Sequence, residues 1–180
     1  MSGEIEVKYR VLDAAELARV LAERGIELSP PVRQDDQAYA PQGWREGESR
    51  IGVTFARLRT QEGRCTFTTK TPVDNVLACR EHETPVADRE QMHHAIVAMG
   101  YRPTVRFAKR RRTARVGDYV LCLDEVEGAG AFLEVEAVTA GTDDMPRAQA
   151  ELAAWVDALG APLERTGATY DQLVSTRATA

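Results

Sequence analysis

The chain has 180 residues, of which 43% are hydrophobic and 28% charged, and its formal net charge is −5. This composition suits one globular domain with a real core, and it argues against wholesale disorder and against a protein that coats nucleic acid. No run of about 18 apolar residues occurs, the start "MSGEIEVKYR" lacks a signal peptide's apolar core, and Cys65, Cys79 and Cys122 are odd in number with no C-x-x-C pair, so no membrane span, disulfide framework or zinc cage is expected and the expected location is the cytoplasm.

In chain order, "EIEVKYR" (4–10) reads as a strand with Glu4, Glu6 and Lys8 on one face and Ile5, Val7 and Tyr9 on the other. "DAAELARVLAERG" follows as an amphipathic helix, with Asp13 as N-cap, Glu16 completing a capping box and Gly25 as the stop. "VRQDDQAYA", "FARLRT" and "RCTFTTK" read as strands. Between the first two of these, residues 41–54 form a loop long enough to cover something. A second helix, "DREQMHHAIVAMG", runs from Asp88 to Gly100 with Gln91 three residues after its cap. "RPTVRFAKRRR" and "DYVLCLDEV" are further strands, and a third helix starts around Asp144, has Pro146 in its first turn and stops at Gly160. The apolar stripes are Leu17, Val20, Leu21; Met92, Ile96, Met99; and Leu152, Trp155, Val156, Leu159. The tail is expected to fray after about residue 172, and residues 1–180 read as a single domain.

One pattern recurs three times. Glu4-x-Glu6, Glu81-x-Glu83 and Glu134-x-Glu136 each lie on a strand shortly before a helix that ends in Gly. The other strands also carry charge on one face: Arg57 and Arg59; Thr66, Thr68 and Lys70; Lys109 and Arg111; Asp124. A solvated sheet face would explain any one such strand. The helices, however, need apolar strand faces to cover, which turns the charged faces the other way. Roughly six to eight strands can then curl until those faces meet across a lumen. The expected class is α+β: an antiparallel closed β-barrel, or tunnel, with a charged lumen and about three main helices packed outside.

A mixed-charge lumen is costly unless its charges neutralise each other or a ligand does so. A polyphosphate chelated to a hard divalent cation meets that need, since Arg and Lys bind phosphate oxygens and carboxylates hold Mg2+ or Mn2+. His82 points away from its glutamates, and the cysteines read as buried fillers. In "KRRRTAR", alternation sends Lys109 and Arg111 inward and Arg110 and Arg112 outward, so general nucleic-acid binding is not expected.

These residues resemble the CYTH domain, or triphosphate tunnel metalloenzyme, superfamily along essentially the whole chain. Its E-x-E-x-K signature is matched by Glu4, Glu6 and Lys8; "ARLRT", "TTKTP", "REHE", "KRR", "LDEVEGAGAFLEVE" and Tyr170 follow in family order. The chain departs from the family's pattern at Ala114, Ala129 and the shifted aromatic Tyr39. "LDEVEGAGAFLEVE" and "REHE" are most similar to the class IV adenylyl cyclase branch.

The resemblance implies a divalent-metal-dependent enzyme acting on a triphosphate, with Glu4, Glu6, Asp124, Glu134 and Glu136 as the metal set. Arg57, Arg59, Lys70, Lys109 and Arg111, with Lys8, would bind phosphates; Glu81, Glu83 and Tyr170 would orient them. Lys8 and Glu6 are the catalytic candidates, Lys8 by assisting the nucleophile. Two reactions share this apparatus. A cyclase makes 3′,5′-cyclic AMP and pyrophosphate from ATP. A triphosphatase hydrolyses tripolyphosphate, thiamine triphosphate or a nucleoside triphosphate. A non-catalytic nucleotide or polyphosphate-binding module is the reading from another class. The resemblance also admits a homodimer.

Overall fold

Alternation of side chains along the strands decides the architecture. A computed structural model describes residues 3–139 and 145–178. Its strands are β1 (Gly3–Val11), β2 (Val32–Pro41), β3 (Phe55–Gln61), β4 (Arg64–Pro72), β5 (Ala78–Val86), β6 (Tyr101–Val116), β7 (Tyr119–Val126), β8 (Gly130–Thr139) and β9 (Leu163–Thr166). The helices are α1 (Ala14–Glu23), α2 (Arg89–Ala98), α3 (Met145–Asp157) and α4 (Tyr170–Ala178). Hydrogen bonding runs in the order β5-β4-β3-β2-β6-β7-β8-β1, and a short antiparallel pairing of β1 with β5 closes the ring. The barrel therefore has eight antiparallel strands. β9 adds to β1 at Lys8–Val11, beyond the residues that pair with β5.

Directly paired residues of antiparallel strands point to the same face. The register pairs Glu6 with Glu136, Lys8 with Glu134, Arg111 with Asp124, Asp36 with Arg59, and Lys70 with Glu81. All of these face the lumen. The alternate residues Ile5, Val7, Tyr9, Leu121, Leu133 and Val135 face outward and are buried by Leu17, Val20 and Leu21 of α1 and by Leu152, Ala153 and Val156 of α3. On another side, Ile96 of α2 covers Tyr39, Ala56 and Leu58. The apolar core thus lies between barrel and helices, as the stripes require.

Local signals hold at most helix ends. The Asp13 carboxylate accepts from the backbone N–H groups of Ala15 and Glu16, both at 3.0 Å, and Asp88 accepts from Glu90 and Gln91 at 2.9 and 3.0 Å. Gly25, Gly100 and Gly160 stop the helices with φ of 68°, 90° and 68°, a conformation that suits glycine.

Three local expectations need correction or fall outside. Glu16 pairs with Arg19 through two hydrogen bonds rather than closing a capping box, because Arg19 lies one turn further along the same face. Met99 is 61% exposed, since α2 has already ended and its apolar contact rests on Ile96. The expected start of α3 at Asp144 lies outside the described residues.

The largest correction is α4, a fourth helix where fraying was expected. Its signal was present in "TYDQ": the backbone N–H of Thr169 donates to the Gln172 side chain at 2.9 Å, which is half of a capping box. Tyr170, at its first position, is buried against Phe107 and Phe132. Among the described residues no helix is long and apolar enough to cross a membrane.

Leu133 has no exposure to solvent and lies in the layer between β8 and the helices. Leu133→Ala is expected to cost about 2–5 kcal/mol, read as a lower urea midpoint with an unchanged slope.

Candidate functional site

The three Glu-x-Glu strands are neighbours in the barrel wall, in the order β5-β1-β8. Six carboxylates therefore share one side of the lumen. Facing them, β3 contributes Arg57 and Arg59, β4 Lys70, and β6 Lys109 and Arg111, around a cavity of about 310 Å³. The repetition in the sequence is thus a repeated strand–helix unit that builds an acidic wall.

Part of this charge is neutralised within the protein. Asp124 has no exposure and accepts from Lys109 Nζ at 2.8 Å, Arg111 Nε and Nη2 at 2.8 and 2.6 Å, and the Tyr170 hydroxyl at 2.8 Å. Burial alone would raise its pKa, but Lys109 and Arg111 outweigh burial and lower it. Glu134 is paired with Lys8 at 3.1 Å and with Arg111, and those cations hold its carboxyl well below the usual range against the effect of burial. Lys8 also pairs with Glu6 at 3.1 Å and donates to the Ala168 carbonyl at 3.3 Å. The ammonium groups of Lys8 and Lys109 lie 4.3 and 4.5 Å from the centre of the Tyr170 ring. Lys70 is paired with Glu81, and Glu83 accepts from the Thr68 hydroxyl at 2.9 Å.

The rest is balanced only in part: Glu4 is paired with Lys70 at 3.6 Å, Glu6 with Lys8 at 3.1 Å and Glu136 with Arg111 at 3.2 Å. Carboxylate oxygens of Glu4, Glu6 and Glu136 lie within 4.8 Å of one another. Burial pushes all three carboxyls up, their acidic neighbours add to it, and Lys70, Lys8 and Arg111 offset only part. On the basic wall the imbalance has the opposite sign. Burial and Arg59 lower the Arg57 pKa, and its Nε is buried without a hydrogen-bond partner. Burial and Arg111 likewise bring Lys109 down to about 8, although Asp124 pulls the other way. Arg59, Lys70 and Arg111, by contrast, are raised by their acidic partners, so on the basic wall the deficit is confined to Arg57 and Lys109.

All the expected site residues thus gather at one lumen, though not in one role. Asp124 stands apart from the glutamate triad, engaged by Lys109, Arg111 and Tyr170. Cys79 and Cys122 are buried on the lumen face, with the Cys122 thiol 3.5 Å from a Glu136 oxygen. Sequence reasoning missed Asp36, which is 2% exposed and receives Arg59 in a two-pronged pair at 2.7 Å for each bond. Its only signal was a single acid at a lumen-phase position, two residues from Gln34 and from Ala38. It also missed Arg50 and Asp171, which line the same cavity from the 42–54 loop and from α4. No periodicity marks a loop arginine.

A closed antiparallel tunnel with an acidic and a basic wall defines the class, and comparison with known proteins gives the family. Residues 2–166 match the CYTH domain, and the chain belongs to that family. A protein of Methanocaldococcus jannaschii named "Putative adenylate cyclase" is 26% identical over 137 residues, covering 74% of this chain and 75% of that one. A solved structure from Pyrococcus horikoshii superposes with a TM-score of 0.79 at 22% identity, covering 97% of this chain and 99% of the other. A Hippeastrum protein, described as a putative adenylyl cyclase that reveals a dominant triphosphatase activity, superposes with a TM-score of 0.63 at 16% identity, covering 98% and 96%.

Asp36 is buried, which would raise its pKa, yet the hydrogen bonds and charge of Arg59, with Arg57 and Lys109, hold it at about 2. A depressed carboxylate stabilises the fold above its unfolded pKa of about 4, and this contribution is lost as pH falls toward the folded value. Asp36→Asn is expected to cost on the order of 2 kcal/mol at pH 5–7. Urea titrations at successive pH values should show that difference shrinking between about pH 4 and pH 2.

Proposed function

We propose that the tunnel is the active site of a divalent-metal-dependent enzyme acting on a triphosphate. One observation carries the reading: a crowded carboxylate triad with raised pKa values faces, across one cavity, a wall of arginines and lysines on which Arg57 and Lys109 are pushed below their usual values. A cation alone would satisfy the first and an anion alone the second. A metal-bound polyphosphate satisfies both, which is the chemistry that oxygen-ligating glutamates and forked arginines select.

The donor set suits Mg2+ or Mn2+, with Glu4, Glu6 and Glu136 as the residues that would hold it and Glu134 beside them. Bound there, the ion would supply Lewis-acid stabilisation of phosphate oxygens. The rest falls to the protein. Arg57, with its free Nε, and Lys70, Arg59, Lys109 and Arg111 bind and orient the phosphate chain and stabilise charge on the departing phosphates. Asp124 and Tyr170 act through Lys109 and Arg111, holding both cations in place before substrate arrives. Lys8, expected to assist the nucleophile, sits between Glu6 and Glu134 at 3.1 Å from each and keeps those carboxylates apart from direct contact.

Within this class the lead reading is a class IV adenylyl cyclase-like reaction. The ribose 3′-oxygen forms a bond to the α-phosphorus, the bond from that phosphorus to the bridging oxygen breaks, and pyrophosphate leaves. The same cavity is lined by Phe107 beside the charged residues, apolar surface that an inorganic chain has no use for. The Methanocaldococcus relative's name agrees with it. The second reading, attack of water on the γ-phosphorus, draws on the triphosphatase activity stated for the Hippeastrum protein.

Phosphorus NMR of incubations with ATP, tripolyphosphate or thiamine triphosphate, with Mg2+ or Mn2+, distinguishes the readings. Cyclic AMP with pyrophosphate is the expected result, and orthophosphate establishes the triphosphatase. Metal-independent binding with no turnover of any of the three overturns both. Glu136→Gln should lower metal-dependent turnover on the order of 100-fold or more with a cooperative unfolding transition retained; unchanged turnover removes Glu136 from the site.

A further inference from the structure

Arg50 belongs to no strand or helix, yet it is one of the more enclosed cations of the molecule. Its side chain is 11% exposed and lines the same cavity as Arg57 and Lys70. The 42–54 loop turns it inward. Trp44 donates from its indole N–H to the Ser49 carbonyl at 3.2 Å, and its ring meets Phe55 edge-on at 5.0 Å. The Arg50 guanidinium lies 4.0 Å from the centre of the Phe55 ring and 5.5 Å from that of Trp44. Stacking of this kind fixes the plane of a guanidinium while leaving its N–H edge available.

That edge is incompletely used. Arg50 Nη1 donates to Asp171 Oδ2 at 2.9 Å, while Nε is buried with no hydrogen-bond partner. A guanidinium carries five N–H donors, and leaving one buried and unpaired is costly. The position of the side chain is informative. Positions 59, 57 and 55 of β3 alternate into the lumen, and Phe55 pairs directly with Lys70. Stacked on Phe55, Arg50 continues the row Arg59–Arg57 by one more strand step of about 6.5 Å. Arg57 and Arg50 both line that cavity, and the Nε of each is buried without a hydrogen-bond partner.

We infer that Arg50 is a further phosphate-binding residue of the tunnel and that Asp171 is its internal competitor, an assignment that rests on the triphosphate reading above. Asp171 occupies the first turn of α4, next to Tyr170, which is hydrogen-bonded to Asp124. It lines the same cavity and accepts from one Arg50 donor that would otherwise be open to a phosphate oxygen. The pair therefore sets how strongly the rim holds an anion: Arg50 attracts it and Asp171 opposes it. A salt bridge that only tied the loop to α4 would behave differently, because removing either partner would loosen the same contact.

The two possibilities differ in sign. Titration calorimetry with tripolyphosphate, with and without Mg2+, should show Arg50→Gln weakening binding about tenfold, the loss typical of one charge-assisted hydrogen-bonding group. Asp171→Asn should tighten binding severalfold, Arg50→Lys should recover part of the affinity, and the double variant should follow Arg50→Gln. Thermal midpoints verify that each variant is folded. Opposed shifts support the assignment. Shifts of the same sign from both single variants, or no shift from Arg50→Gln, overturn it while leaving the triphosphate reading intact. Failure of the wild-type protein to bind tripolyphosphate overturns that reading and this one together.

Discussion

A closed barrel lined with charge must balance that charge inside itself, and Asp124 is where the balance is struck. The carboxylate has no contact with water and is held by Lys109, Arg111 and the Tyr170 hydroxyl. Those donors come from β6 and α4, while Asp124 itself sits on β7. One buried anion thereby fixes the relative position of two strands and a helix. Removing one partner of such a cluster leaves others unpaired in a low-dielectric interior, which costs more than the cluster contributes when whole. The arrangement therefore acts less as a source of stability than as a device that permits a single geometry for the lysine and arginine it holds.

The remainder of the lumen is balanced only in part, and the division is spatial. Asp124, Glu134 and Asp36 are satisfied by Lys109, Arg111, Lys8 and Arg59. Glu4, Glu6 and Glu136 each reach one cation but also crowd one another, and Arg57 retains an unpaired N–H. Their unmet demand, negative on one wall and positive on the other, matches a ligand that carries both signs. The neutralised half holds the frame rigid around the other half, a separation that keeps the lumen side chains preorganised.

Much of this was legible in the chain, for a physical reason that is also the limit. Side-chain direction on a strand is local, with period two, so the lumen phase of Glu4, Glu6 and Lys8 or of Lys109 and Arg111 follows from adjacent residues alone. Helix stripes and glycine stops are local in the same way. Arg50 and Asp171 escaped because a loop has no period and a short terminal helix has little of one. Met99 misled because a stripe extrapolates past the point at which its helix ends. Asp36 escaped because a single acid on a strand looks the same whether it faces water or Arg59.

The sequence by itself determined that this protein is a tunnel with charged strand faces turned inward, and it named most of the charged groups that line it. Only the tertiary structure decided that the three Glu-x-Glu strands stand side by side as β5, β1 and β8, an order that makes one acidic wall out of repeats lying more than fifty residues apart in the numbering. It alone decided which carboxylates are held low by internal cations and which crowd one another with raised pKa values. Coulomb energy depends on distance through space and on burial, and neither is a property of neighbouring residues in the chain.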